Sequence, residues 1–225
     1  MDIIIDELIR SKRKTVSISI TRDAKVIVKV PLKFPAKEID RIIEEKKSWI
    51  IRNKSRVLER IRKKESINLS VGGQFLFLGE SYTISTDYNE KSIKIKNRLL
   101  VIPSELMENI ETALAEWCRK QGKIILKKRL EELSHLTGIK YSGCSITGAK
   151  SRWGSCSYKN RINLSWRLIL ANKRAIDYVI IHELCHVLHK NHSKAFWQEV
   201  EKHMPDYKNH KKWLKDNAFI LDAFM

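Results

Sequence analysis

Residues 182–186 read His-Glu-Leu-Cys-His, and the chain around them repeats its apolar residues at helical spacing. With His182 at 0° and about 100° per residue, His186 falls near 40°. Ile176, Ile180, Ile181, Leu184, Val187 and Leu188 fall at roughly 120–260°, on the opposite side. The segment therefore reads as a helix that buries one stripe and turns two histidines, one turn apart, the other way. Two imidazoles so placed can share a Zn²⁺ ion. Glu183, about 100° round from His182, can reach water on that ion as a general base. A helix with two solvent-facing histidines would show the same pattern, so the remaining donors decide.

A catalytic zinc site takes a third protein ligand and keeps a fourth position open. Six of the seven histidines lie between residues 182 and 210. His189 is seven residues from His182, about 10 Å along a continuing helix, too far to converge on one ion. His192 is better placed. Lys190-Asn191 can end the helix, Asn tolerating the left-handed position, and Ser193 can cap a following helix over Lys194–His203. Glu199 and Glu201 on that second helix are rival carboxylate ligands. Three imidazoles favour zinc among the divalent metals. Cys156 and Cys185 read as small buried hydrophobes rather than ligands. Tyr207, His203, His210 and Arg152 are candidates for stabilising an oxyanion. Tyr178 reads as a packed aromatic and His135 as a surface residue.

Upstream, the signals alternate between strand and helix. Val16, Ile18 and Ile20, then Val26, Val28 and Val30 after Arg22-Asp23, read as a β-hairpin stopped by Pro31. Residues 36–64 carry Ile39, Ile42, Ile43, Trp49, Ile50, Val57, Leu58 and Ile61 at helical spacing among many Lys and Arg. Strands are expected at Gln74–Leu78, Ser81–Ser85, Ser92–Ile95 and Arg98–Ile102, then a long helix from about Leu106 to Leu136 ended by Thr137-Gly138. Trp153–Cys156 and Ile162–Trp166 read as strands joined by the turn Tyr158-Lys159-Asn160. The expected class is α+β: a strand-rich α/β module over 1–103 and a second domain over 104–225 that holds the His-Glu-Leu-Cys-His helix.

The chain has 225 residues and a formal charge of +18, of which residues 1–65 carry +9 (19 basic, 10 acidic). Such a field attracts phosphate-rich or acidic partners, or else keeps the surface solvated. No apolar run approaches the roughly 18 residues of a membrane span. The acidic start of the chain is unlike a signal peptide. Four scattered cysteines without a CxxC pair suit a reducing cytoplasm.

Four ordered blocks resemble the YgjP-like metallopeptidase family: Arg152–Ser157, Arg161–Leu168, Ile176–His186 and Asn191–Trp197, with Pro205–Tyr207 and Lys212–Leu214 also similar. The resemblance implies a zincin-like second domain with His182, His186 and His192 as zinc ligands and Glu183 as catalytic acid/base. It also implies kinship with SprT-like proteases that act on protein–DNA adducts. The expected activity is hydrolysis of a peptide bond in a protein or peptide substrate. Hydrolysis of nucleoside triphosphates at the same site is the first alternative. The second is a non-catalytic, metal-stabilised protein that associates with nucleic acid through its basic surface.

Overall fold

The computed structural model describes residues 3–222. The chain forms two compact units, Met1–Ser66 and Ile67–Met225. In the first, β1 (Glu7–Ser11), β2 (Ser17–Ile20) and β3 (Val26–Pro31) precede one long helix, α1 (Ala36–Glu65). The strand order is β1-β3-β2, with β2 antiparallel and β1 parallel to the central β3. Val26, Val28 and Val30 alternate inward because successive strand residues face opposite sides, and they close on Ile39, Ile43 and Ile50 of α1. The expected hairpin is thus present. Its turn is held by the bond from the Lys25 amide to Thr21 Oγ1, and Ala24 is left-handed at φ 63°.

The second unit opens with β4 (Gln74–Phe77), β5 (Glu80–Asp87), β6 (Lys94–Lys96) and β7 (Leu99–Pro103), in the order β4-β5-β7-β6. A 3-10 turn (Ser104–Asn109) leads into α2 (Ile110–Thr137), which ends at Gly138 with φ 72°, where a side chain would be strained. A second three-stranded sheet follows, with β8 (Gly143–Thr147), β9 (Gly154–Cys156) and β10 (Arg161–Ser165) in the order β8-β10-β9. The chain finishes with α3 (Lys173–Leu188), α4 (Lys194–His203) and α5 (Tyr207–Asp216). The protein is thus mixed α/β, with five α-helices and three small sheets among the described residues.

The boundary expected near 103–106 lies inside this second unit. Phe75, Ile84, Leu100 and Ile102 of the four-stranded sheet share one apolar cluster with Leu114 and Leu126 of α2 and with Ile180 and Leu184 of α3. Those strands cannot bury their inner face without the helices that follow them, so residues 67–103 go with the C-terminal part. No described helix is long and apolar enough to cross a membrane.

Candidate metal centre

Helix α3 begins where Asn172 accepts a bond from the Ala175 amide, satisfying a donor that the first turn leaves open. Nearly every residue from Ala175 to Cys185 is buried, including those beside the histidines. The side that carries His182 and His186 is not open solvent, as in a helix with two solvent-facing histidines, but is covered by Phe196 and Trp197 of α4. The helix also stops at Leu188, two residues earlier than the Lys190-Asn191 end read from the sequence, and His189 is extended at φ −129°. The His189 carbonyl instead meets His186 Nδ1 at 2.9 Å. Ser193 caps α4 as expected, accepting from the Phe196 amide.

This corner brings His192 back to α3. One donor nitrogen each from His182, His186 and His192 lies within 4.8 Å of the others. The Nε2 atoms of His182 and His192 are 3.1 Å apart. Tetrahedral zinc–nitrogen bonds of about 2.0–2.1 Å call for a spacing only slightly larger. With its Nδ1–H donated to the His189 carbonyl, His186 keeps a lone pair on Nε2 for an ion, the arrangement that usually fixes a ligating imidazole. His182 Nδ1 is buried with no partner among the described residues. Burial, then the neighbouring His186, His192 and Lys211, push the His182 pKa down to about 3. Burial lowers that of His186 as well. Both rings are thereby held neutral, the form that ligates a metal. The donor set fits a divalent ion.

The rival ligands sit elsewhere. Glu199 accepts from Lys202 at 3.1 Å and pairs with His203 at 2.9 Å, and neither it nor Glu201 belongs to the histidine cluster. Cys185 is buried and Cys156 half-buried, and neither joins the cluster. His135 is exposed, as expected.

Glu183 is only 6 % exposed, and burial pushes its pKa up to about 8 against the opposing pull of Arg152. Room for it comes from β9. A Cβ on Gly154 would stand 2.8 Å from Glu183 Cγ and Oε1, so only a glycine lets this strand lie against the carboxyl group. Gly154 lies inside the Trp153–Cys156 strand read from the sequence, and a glycine inside a strand, the usual sign of close approach, is the signal that could have revealed this role.

Of the candidates for oxyanion stabilisation, His203 and His210 are held by Glu199 and Asp206, each at 2.9 Å. Tyr207 is buried in a stack between Tyr178 and Trp197, with centroids 6.3 and 5.4 Å away. Tyr178 is packed as expected, 5.8 Å from the His182 ring, and burial raises its hydroxyl pKa to about 12. Arg152 is exposed and acts on Glu183. The sequence reading missed Lys211. From α5 its ammonium lies 4.1 Å from the centre of the Trp197 ring, which in turn lies 5.6 Å from the His192 ring.

No curated protein matches the chain. A solved structure that does is the crystal structure of the metallopeptidase zymogen of Pyrococcus abyssi abylysin. It is 26% identical over 41% of this chain and 93% of that one, with a TM-score of 0.38. The family model described as YgjP-like, metallopeptidase domain matches residues 14–217, nearly the whole chain, which therefore belongs to the YgjP-like metallopeptidase family.

Proposed function

We propose that the chain is a zinc-dependent metallopeptidase with a zincin-like second unit, in which His182, His186 and His192 hold the ion and Glu183 is the general base. The observation that carries this reading is the convergence of three imidazoles beside the buried carboxyl group of Glu183. When bound, the ion supplies a Lewis acid for a carbonyl oxygen and lowers the pKa of a coordinated water. Glu183 takes a proton from the attacking water and passes it to the leaving amine. Gly154 holds β9 against Glu183 without filling its space. β9 is the edge of its sheet, so its outer side is open to pair with an extended substrate backbone. Arg152 is the remaining exposed candidate for meeting the developing negative charge.

One specific observation favours a nucleotide substrate as the second reading: the charges acting on the histidines and Glu183 from outside the cluster belong to Lys190, Lys211 and Arg152, all cations. The deciding experiment measures turnover of an unstructured protein and of nucleoside triphosphates, with and without chelator, alongside metal analysis. Chelator-sensitive proteolysis supports the peptidase, and chelator-sensitive phosphate release alone supports the second reading. Bound metal with neither activity leaves a metal-stabilised protein without catalysis. Four free cysteines are in keeping with a reducing cytoplasm.

A further inference from the structure

We propose that the groove between β2 and α1 in the N-terminal unit docks an extended, acidic polypeptide segment that adds to β2 as a fourth strand. The groove has a volume of about 600 Å³, and its walls are Val16 and Ile18 of the β2 segment and Ile42, Lys46, Trp49 and Arg52 of α1. These helical residues recur at three-, four- and seven-residue steps, so they form one stripe alongside the strand.

Three independent features point to a polypeptide partner. First, β2 is an edge strand. The Thr21 amide bonds to the Lys25 carbonyl, and Ser19 pairs with Ile27 and Ser17 with Lys29. Bonded residues alternate in an antiparallel ladder, so Ile18 and Ile20 turn their N–H and C=O groups away from β3, toward the missing neighbour. Secondly, this edge is unguarded. Sheet edges are commonly blunted by Lys, Pro or inward charges, yet Ser17-Ile18-Ser19-Ile20 has none. The opposite edge, β1, carries Glu7 and Arg10, and Arg10 is tied to the Leu32 and Phe34 carbonyls. Thirdly, Trp49 is 41% exposed above the groove, an apolar platform for the inward side chains of an added strand.

Charge selects the sign of the occupant. Glu45 in the groove is already engaged by Lys46 at 2.9 Å, whereas Arg52 has no ion pair among the described residues. The +9 of residues 1–65 adds an attractive field for acidic side chains. A nucleic acid would answer the field but not the row of outward amides and carbonyls, so strand addition favours a polypeptide. This inference is independent of the metal centre.

The test is fluorescence anisotropy on the full chain with a labelled peptide of about six to eight residues of valine and glutamate, arranged so that both residue types occur on each face of the strand. Binding should weaken at least about tenfold when every second peptide nitrogen is methylated, when lysine replaces glutamate, and in Arg52→Glu. Ile18→Pro, which removes an outward donor together with one apolar wall of the groove, should do the same. If Ile18→Pro fails to fold, the methylated peptide and Arg52→Glu carry the result. Equal binding of the methylated peptide overturns the proposal. So does a single-stranded oligonucleotide that displaces the peptide and is itself weakened by Ile18→Pro. Metal content, measured on the same samples, should be unchanged, which separates this outcome from failure of the metallopeptidase reading.

Discussion

Gly154 and Glu183 stand so close that a methyl group on the first would lie 2.8 Å from both Cγ and Oε1 of the second. Carbon atoms do not approach carboxyl oxygens that closely, so β9 or Glu183 must move if Gly154 becomes Ala. Misplacing a catalytic group by about 1 Å costs on the order of a hundredfold in rate. Gly154→Ala is therefore expected to lose about that much activity while still binding metal. Full activity in the alanine variant would show that Glu183 needs no fixed position.

Glu183→Gln separates chemistry from binding in the same way. It keeps the side-chain shape but removes the proton acceptor, so hydrolysis should fall by roughly 10²–10⁴-fold with metal content intact. His192→Ala should instead release the metal, and Glu199→Ala should retain it, because Glu199 is engaged by Lys202 and His203. Elemental analysis of the three variants decides. Chelator should also lower the melting temperature of the parent chain, since an ion that binds only the folded state stabilises it.

Much of this site is visible in the residues alone, and the reasons are local. Ser193 as a cap, Gly138 as a left-handed stop and the alternating valines of β3 each act through neighbours a few residues away. The histidine spacing also needs only one helical turn and one corner. β1 and β8 escape that kind of reading because each is stabilised by a parallel partner far along the chain, Glu7 opposite Ile27 and Gly143 opposite Arg161. The five residues of β8 are all half-buried, so no in–out alternation marks them. Helix α5 buries only Tyr207 and Leu214 among ten residues, too sparse a stripe to stand out, and with it went Lys211.

Asp206 sets an acid limit on the packing of α5. It accepts from Arg174 at 3.0 and 3.1 Å and pairs with His210 at 2.9 Å, and the bonds to His210 and Arg174 hold its pKa below 3.8. A carboxyl group with a depressed native pKa binds its proton more weakly when folded than when unfolded. Its stabilisation is therefore complete above the unfolded value of 3.8 and fades as pH falls through the lower native value. Asp206→Asn should melt earlier than the parent at neutral pH, and the two should converge in strong acid. Thermal melts of both proteins in chelator, across the acid range, measure this without interference from metal loss. A constant gap down to the lowest pH would contradict it.

The last prediction concerns what keeps α3 in place. Asp177 is 7 % exposed and receives a two-point grip from Arg129 of α2, with Nε at 2.7 Å and Nη2 at 2.9 Å. A bidentate guanidinium–carboxylate pair adds fixed geometry to charge, and it ties the long helix to the first turns of the helix that carries His182 and His186. Arg129 also holds Glu132 at 2.7 Å and its side chain is 36% exposed, so water and a second carboxylate soften the loss of Asp177. Asp177→Ala should therefore destabilise by about 1–3 kcal/mol, less than the ~3–5 kcal/mol of a fully buried pair broken on one side. Arg129→Met leaves the more buried partner unpaired and should cost at least as much, while the double variant should recover part of either loss. Denaturant melts of the two single variants and the double variant give the coupling directly, and strict additivity would mean that the pair contributes nothing to holding α3 on α2.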